Sequence, residues 1–355
     1  MVEYLSINKT YQYLLIILAF LMPLTVFGAN FIIVIICLLW LFSGDYKSKF
    51  DQIISNKLML ASIVFFLLHV VGLLWTEDLI WGLHIVHKMW YFLLLFPVLY
   101  TIVRKDYISH YISAFLLAIS ITEVYSYLVW FELMEPFNNA TVVNPTPFMN
   151  HISYNPILAF AIYFVLHEIF VNTKITNFVF SLYSFFAISM TINMFITGGR
   201  AGQVIFFVML VILIFQVLDK QRIKSLIITS IVIPGIFFTA YQTSDLFQNR
   251  VDDAVRNTIN FSYNQNTSMG QRISFLLNSW EVIKKNPIIG VGTGDFPIEY
   301  KKINIINTPG LPNTGNPHNM YTLVAVELGA LGIISMLSIF YYQIKLSFNS
   351  SNKFI

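Results

Sequence analysis

Charged residues and cysteine are scarce in this sequence of 355 residues. Charged side chains make up 11% of it and hydrophobic ones 57%, and the mean hydropathy is +0.69. Because a soluble domain carries about 25% charged residues, this composition excludes an ordinary soluble domain and predicts a polytopic membrane protein. The single cysteine, Cys37, excludes a disulfide framework within the chain and a cysteine-based metal site.

Several motifs that would imply a cofactor are also missing from the sequence. It contains no HExxH, no paired cysteines, no acidic cluster and no GxxxxGK[ST] loop. We therefore expect neither a metal ion nor a nucleotide or other cofactor. The N-terminus lacks a short apolar segment that ends in a small-residue cleavage site, so we expect the first apolar run to be a retained anchor.

Long apolar runs are abundant. A spanning helix needs about 20 mainly apolar residues. Candidate runs occur at 11–27, 29–43, 57–75, 89–103, 107–133, 152–170, 176–196, 201–218, 223–241 and 318–344. The runs at 29–43 and 89–103 are short and fit either tilted spans or a hairpin. The pattern predicts an all-α transmembrane bundle of about 10–12 spans. Residues 1–241 would hold nine spans, 242–317 a large external loop, and 318–355 the last span and a tail.

Basic residues predict the orientation of these spans. With the N-terminus in the cytoplasm, the short outer loops hold only Lys88 and Arg200. The cytoplasmic loops then hold twelve basic residues: Lys9, Lys47, Lys49, Lys57, Arg104, Lys105, Lys174, Lys220, Arg222, Lys224, Lys345 and Lys353. We therefore expect both termini in the cytoplasm and segment 242–317 outside.

One stretch of the external segment, "GQRISFLLNSWEVIKKNP", has the pattern of an amphipathic helix. Apolar residues recur there at helical spacing and stop before Pro287: Ile273, Leu276, Leu277, Trp280 and Ile283. We expect this helix to lie in the membrane interface, with Arg272 at the flank of its apolar stripe. The runs "GVGTGDF" and "NTPGLPNTGNP" that follow are turn-rich, and their composition predicts flexible loops.

Three outer cations are candidate anion ligands. Gly198 and Gly199 break a helix immediately before Arg200 begins the next one, and glycine amides at a helix N-terminus favour an anion. The alternative is an ordinary tight turn with an arginine that extends to the lipid head groups. Lys88 precedes the run at 89–103, where the same alternative holds. Together with Arg272, these cations would suit a diphosphate at head-group depth.

His318 is the candidate for proton transfer, because its side chain titrates near neutral pH. The sequence places it after Pro317, in the first turn of the last span, beside Asn319 as a candidate substrate ligand. A structural histidine at a helix end is the alternative. Glu327 lies about 13–14 Å deeper at 1.5 Å per residue, too far for direct contact.

Weaker candidates complete the set. His151 opens a span from the outside, and His87 lies beside Lys88, where it would line the same cavity. Glu327 and Glu123 are intramembrane carboxylates and hence functional candidates. Satisfying polar groups between helices is the more ordinary role for both of them.

These motifs resemble those of a known family. "TGGRAG" at an outer helix start, then "NPIIGVGTGDF" and "NPHNMYTLVAVELGALG", are similar to the bacterial O-antigen ligase and polymerase superfamily over roughly residues 190–335. The resemblance implies a GT-C-like, metal-independent glycosyltransferase of the inner membrane. Its donor would be an undecaprenyl-diphosphate-linked glycan, which ligases transfer en bloc to the lipid A-core at the periplasmic face.

The resemblance also implies roles for single residues. Arg200 and Arg272 would bind the donor diphosphate, and His318 would activate the acceptor hydroxyl. Lys88 matches a basic residue that enters a span in the ligases. Ligases of this family have more spans than the ten candidate runs in this sequence.

Four alternatives to a ligase stay open. A polymerase of repeat units and a protein oligosaccharyltransferase would carry the same motifs, although the His-Asn segment favours a ligase. A lipid-linked glycan flippase would place polar residues at mid-membrane and often shows internal repeats, whereas the sequence shows no repeat. A non-catalytic scaffold would make these residues incidental.

Overall fold

The computed structural model describes residues 2–138, 140–172, 175–218, 221–260 and 265–348, with the side chains of residues 2–6 excepted. The described residues form helices and loops without a strand, which confirms the predicted all-α fold. The helices are α1 Val2–Leu21, α2 Val26–Phe42, α3 Tyr46–Ser55, α4 Lys57–Gly72, α5 Leu79–Lys88, α6 Trp90–Leu93, α7 Leu95–Ile102, α8 Ile108–Trp130, α9 His151–Val171, α10 Asn177–Ile196, α11 Arg200–Leu218, α12 Arg222–Thr243, α13 Asp245–Ile259, α14 Ser268–Lys285, α15 Phe296–Asn307 and α16 Met320–Phe348.

Among the described residues, seven helical segments are long and apolar enough to cross a membrane. They are Lys57–Trp75, Lys105–Trp130, α9, α10, α11, α12 and α16. Two bent helix pairs raise the number to nine if each pair is one span. The chain is thus a multi-pass helical membrane protein, as predicted.

Three of the candidate runs form something other than one of these long segments. The first run lies in α1, of which Ile7–Leu21 is the apolar part whose side chains are described. In the second, α2 ends at Phe42, and α3 leaves it at 115° because Gly44 and Asp45 adopt left-handed backbone angles. In the third, α5 and Trp90–Ile102 meet at 50°. Of the basic residues used for orientation, Lys174, Lys220 and Lys353 lie outside the described residues, as does the end of the predicted tail.

The chain divides into two compact units, each of which is described by itself. The first unit comprises residues 1–36 and 103–253. Its core lies along α9, where Leu158 and Ile162 are fully buried. Gly202 of α11 lets the two helices approach closely, because a Cβ atom there would lie 2.3 Å from Asn155 Cβ.

The second unit comprises residues 37–102 and 254–355. There α4 packs on α16, and α14 packs on both α15 and α16. One core cluster joins Phe65 of α4 to Val324 of α16, and another joins Phe275 of α14 to Tyr300 of α15. This second unit holds most of the segment between the last two long apolar runs.

Helix α14 confirms the predicted amphipathic helix. Its apolar stripe is on the surface, where Leu276, Leu277 and Trp280 are each about half exposed. The opposite face, with Phe275 and Val282, is buried. A surface helix with this distribution is suited to a membrane interface. The segment 242–317 also holds α13 and α15, which the sequence did not predict.

Candidate functional site

The loop at 287–292 is locked into a break in α16. Gly329 adopts φ 61° and ψ −152°, so the helix is interrupted there. The N–H groups of Val291 and Gly292 donate to the carbonyl oxygens of Val326 and Glu327, at 2.9 and 3.0 Å. Beyond the break, Ala330 N–H donates to Pro287 O and Leu331 N–H to Ile288 O. Hydrogen bonds between this loop and α16 therefore replace the helical hydrogen bonds that the break interrupts.

Two glycines make this packing sterically feasible. At Gly290, with φ +70°, a Cβ atom would lie 2.4 Å from the carbonyl group of Glu327. At Gly329, a Cβ atom would lie 2.5 Å from Ile288 O. The motif at residues 287–292, inside "NPIIGVGTGDF", therefore packs directly against the motif at residues 327–329, inside "NPHNMYTLVAVELGALG".

The run "GVGTGDF" is buried, which corrects the expectation of a flexible loop. Asp295 is 1% exposed, and its carboxylate accepts hydrogen bonds from the Thr76 hydroxyl (2.6 Å) and from the N–H groups of Glu77 (2.7 Å) and Asp78 (2.9 Å). Thr293, fully buried, donates its hydroxyl to His69 O. Turn-forming composition could not reveal these contacts, because their partners lie more than 200 positions away in sequence.

Glu327 lies beneath the same loop. It is 1% exposed, and its carboxyl group interacts with the Gly294 backbone. Glu123, in the other unit, accepts a hydrogen bond from Ser189. Both arrangements fit the packing or orienting role that was the alternative to catalysis.

His318 is placed differently from the sequence prediction. Helix α16 begins at Met320, so His318 precedes the helix instead of lying in its first turn. The helix starts later because Asn319 caps it, accepting from Thr322 N–H at 3.2 Å. The His318 backbone has φ +54°, and its N–H donates to Asn316 Oδ1 at 2.7 Å. The side chain is exposed.

The structure brings His318 to the helix that carries Arg272. The imidazole stacks on Phe275, with ring centroids 6.0 Å apart and planes at 26°. Arg272 lies three residues before Phe275, and helical neighbours at this spacing have Cβ atoms about 5–6 Å apart. The guanidinium is exposed and makes no hydrogen bond or ion pair within the described part of the chain.

A buried polar network fixes the approach to His318. Asn278 Nδ2 donates to Thr308 Oγ1 at 2.7 Å, and Thr308 donates to Asn304 Oδ1 at 2.6 Å. Asn304 Nδ2 donates to Asn313 Oδ1 at 3.0 Å. Tyr300 OH also donates to Asn304, and burial raises the pKa of this phenol, which keeps it a neutral donor. The beginning of "NTPGLPNTGNP" is thereby anchored, contrary to the expected flexibility.

In the first unit, the turn before Arg200 is held by buried amides. Asn155, fully buried, accepts from the Thr197 hydroxyl at 2.6 Å and donates to Gly199 O at 3.3 Å. Gly198 N–H donates to Asn144 Oδ1 at 3.1 Å. This ordered turn fixes the first residue of α11, which is Arg200.

His151 lies next to this turn. A Cβ atom at Gly199 would lie 2.4 Å from His151 O, so only glycine allows the two segments to approach this closely. His151 is the first residue of α9 and is partly exposed, as is Arg200. The structure therefore brings the predicted His151 to the backbone that carries Arg200.

Sequence reasoning missed Arg250 on α13. Its Nη2 atom lies 3.5 Å from the position that a Cβ atom at Gly198 would occupy, and its charge acts on His151. Arg250 thus adds a second permanent charge beside the turn of Arg200. Nothing in the sequence singled out Arg250, because α13 was not predicted. In addition, basic residues in long loops carry no information on the orientation of the spans.

Lys88 and His87 are the last two residues of α5, and both are exposed. Lys88 lies at the bend between α5 and Trp90–Ile102, which meet at 50° as a broken span or a re-entrant pair. Lys88 has no ion pair with a carboxylate among the described residues. Within the same described ranges, no three His, Cys, Asp or Glu side chains cluster as metal ligands.

The predicted site residues are divided between the two units. Arg200 and His151 belong to the first, whereas Arg272, His318, Asn319, Lys88 and His87 belong to the second. The structure joins His318 to the Arg272 helix in one unit, and His151 to the Arg200 turn and Arg250 in the other.

The fold and these residues define a multi-pass helical membrane protein with ordered cationic sites. Residues 185–337 match a family model described as O-antigen ligase. The match supports the resemblance to the O-antigen ligase and polymerase superfamily that the motifs predicted, over a segment that is less than half of the chain. The match does not separate a ligase from a polymerase.

A related protein of Haemophilus influenzae, described as uncharacterized, is 32% identical over 167 residues. The alignment covers 45% of this chain and 41% of the relative, so the chain spans less than half of that protein's length.

Proposed function

We propose that this chain is an O-antigen ligase of the bacterial inner membrane. It would transfer a complete glycan from undecaprenyl diphosphate to a hydroxyl of the lipid A-core at the periplasmic face. The observation that carries the proposal is the pairing of the exposed His318 with the helix of Arg272, inside the segment that matches the family model.

The reaction joins the acceptor oxygen to the anomeric carbon of the glycan and breaks the bond from that carbon to the diphosphate. Undecaprenyl diphosphate leaves with the bonding electron pair, and the acceptor hydroxyl loses its proton. In our proposal His318 accepts this proton, because imidazole is a suitable base near neutral pH.

The leaving diphosphate gains negative charge as its bond breaks. Arg272 has no ion pair among the described residues, and its planar guanidinium matches phosphate oxygens. We assign it the stabilisation of this charge. Because this cation can supply the stabilisation, we propose that transfer needs no metal ion and persists in EDTA.

The His318 backbone supports a functional reading. A non-glycine residue at positive φ costs roughly 1–3 kcal/mol, and such strain is concentrated at active sites. Asn316 and Asn319 hold this conformation from either side. The Asn319 side-chain oxygen caps α16, so its NH₂ group is the part that we assign to substrate.

The remaining predicted ligands keep supporting roles. We assign His151 and the Arg200 turn to the donor, and Lys88 and His87 to substrate binding. Orientation of the chain, with both termini in the cytoplasm, follows from the basic residues of the loops and is part of the same proposal.

The test is a strain that lacks this chain, complemented with the native protein or with His318→Ala. We expect lipopolysaccharide without glycan caps, and accumulation of long lipid-linked glycan, with both the empty vector and the variant. The matched control His110→Ala changes an exposed histidine at the start of α8 and should restore capping.

Other outcomes would identify other functions. Single-unit caps in the deletion strain would indicate a polymerase, and glycan retained on the cytoplasmic side would indicate a flippase. Glycan missing from a protein acceptor, with normal lipopolysaccharide, would indicate a protein oligosaccharyltransferase. Full capping by His318→Ala would overturn the assignment of the base.

A further inference from the structure

A groove of about 780 Å³ lies at the C-terminal ends of α10 and α12, within the first unit. Its wall is mainly apolar and includes Trp130, Val143, Ile192, Ile196 and Ile236. The volume falls within the roughly 300–1,000 Å³ of small-molecule sites. The groove is therefore large enough for a segment of an extended apolar chain.

One end of the groove adjoins the cationic turn. Ile196 lines the groove, and Gly198 follows two residues later, within about 7 Å of chain. Leu246 also lines the groove, and Arg250 lies one helical turn further along α13, a rise of about 6 Å. An apolar cavity thus leads to a turn bearing two arginines.

The position of this end is fixed by contacts between α10 and α13. The Ser244 hydroxyl donates to Phe195 O at 2.8 Å, and the rings of Phe195 and Phe247 meet edge to face at 5.1 Å. Phe195 and Phe247 are both buried. The groove and the arginines therefore keep a defined spacing, as a site for one amphiphilic molecule requires.

Gly235 of α12 keeps the groove open. It lines the groove, and a Cβ atom placed there would meet nothing within 4 Å. Glycine costs about 1 kcal/mol relative to alanine in a helix interior. A larger side chain at this position would extend into open space of the groove.

From this arrangement we propose that the groove binds the prenyl chain of the lipid-linked donor, at the isoprene units nearest its diphosphate. The proposal rests on the proposed function and adds to it the place where the donor lipid is held. The two arginines favour a diphosphate over the single phosphate of an ordinary phospholipid, because each adds a permanent positive charge at the groove's end.

The test is photo-crosslinking with a short-chain prenyl diphosphate that carries a diazirine on its first isoprene units. The native chain in nanodiscs should be labelled on segments 191–196 and 235–243. Gly235→Trp, which fills the groove, should lose at least about five-sixths of this labelling. Phe238→Trp is the matched control, because Phe238 lies on the same helix, is 63% exposed and does not line the groove.

A second variant guards against misfolding of the first. Thr239→Phe also narrows the groove and should reduce the labelling, while gel filtration shows that both variants stay monodisperse. Equal labelling of the native chain, both groove variants and Phe238→Trp would overturn the proposal. Equally strong labelling by a diazirine phospholipid that the prenyl diphosphate does not displace would also overturn it.

The outcome is separable from that of the proposed function. If the native chain transfers glycan but the probe labels neither segment, the groove is not the lipid site and the ligase proposal stands. If the probe labels the groove but the native chain transfers no glycan from any donor, the lipid site stands and the ligase proposal fails.

Discussion

His318 stacks on Phe275 with their ring centroids 6.0 Å apart, although 43 positions separate the two residues in sequence. Phe275 is 4% exposed and belongs to the core cluster of α14 and α15, whereas His318 is exposed. The core therefore supplies a fixed platform for a solvent-accessible imidazole. Because Arg272 lies one helical turn before Phe275 on α14, the imidazole rests on the same short stretch of helix that carries this cation.

This relationship predicts a positioning role for Phe275. Phe275→Leu keeps an apolar side chain in the core but removes the aromatic face under His318. We expect kcat to fall about tenfold, which corresponds to about 1.4 kcal/mol of lost transition-state stabilisation, while the donor KM changes less than twofold. Steady-state transfer assays on purified protein would measure both constants. Phe275→Tyr keeps the ring and should restore kcat, and failure of this rescue would contradict the positioning role.

The backbone of His318 gives a second prediction. At φ +54° glycine is relaxed but alanine is strained, so His318→Gly should be more stable than His318→Ala by about 1 kcal/mol or more. Both variants should lose transfer. Added imidazole should restore part of the activity of His318→Gly, because its cavity accepts the free base. Differential scanning fluorimetry and the transfer assay test the two parts, and equal melting temperatures for the two variants would argue against the strained backbone.

Features of the fold and the candidate site could be predicted from the sequence where the residues that determine them are close together in the chain. The spacing of Leu276 and Trp280 predicted α14, because helix periodicity is local. The motif around Arg200 and His318 predicted the family segment. The left-handed angle of His318 and the partners of Asp295 depend on distant segments, so no local pattern reports them.

The bends within the apolar helices could not be predicted for a related reason. Apolar length alone does not show where a helix bends, and the break at Gly44 and Asp45 divides a region that composition treats as one class. Arg250 was missed because its importance comes from its approach to Gly198, which only the fold creates. Residues of this kind can be found only when the packing is known.

The buried Asp295 predicts a large effect on folding. Asp295→Ala removes the acceptor of three hydrogen bonds, from the Thr76 hydroxyl and from the N–H groups of Glu77 and Asp78, and each such bond contributes about 0.5–1.5 kcal/mol. We expect the variant to lose several kcal/mol by this mechanism and to accumulate poorly in membranes. Asp51→Ala changes an exposed carboxylate and is the control. Normal accumulation and melting of Asp295→Ala would show that the loop does not depend on this carboxylate.

The break in α16 predicts that Gly329 cannot be replaced. In Gly329→Ala the Cβ atom would lie 2.5 Å from Ile288 O, at a backbone angle that disfavours L side chains. We expect a loss of at least about 2 kcal/mol, since loop and helix must separate to relieve the clash. Gly310→Ala is the matched control, because a Cβ atom there meets nothing within 4 Å. Thermal melts of the two variants should differ by several degrees, and coincident melts would contradict the interlocked loop.

Arg250 yields the prediction that separates donor binding from chemistry. If its guanidinium contacts the donor diphosphate, Arg250→Ala should raise the donor KM about tenfold, by about 1.4 kcal/mol, and lower kcat less than threefold. Arg250→Lys should recover part of the loss, because lysine keeps the charge but not the bidentate geometry. Arg222→Ala removes an exposed arginine from the other end of the neighbouring helix α12 and should leave both constants unchanged.

The increase in donor KM caused by Arg250→Ala should become smaller as the salt concentration rises from 50 to about 500 mM, because salt screens the interaction between the arginine and the diphosphate. An unchanged KM in Arg250→Ala, with normal melting, would mean that this arginine supports the Gly198 turn without binding the donor.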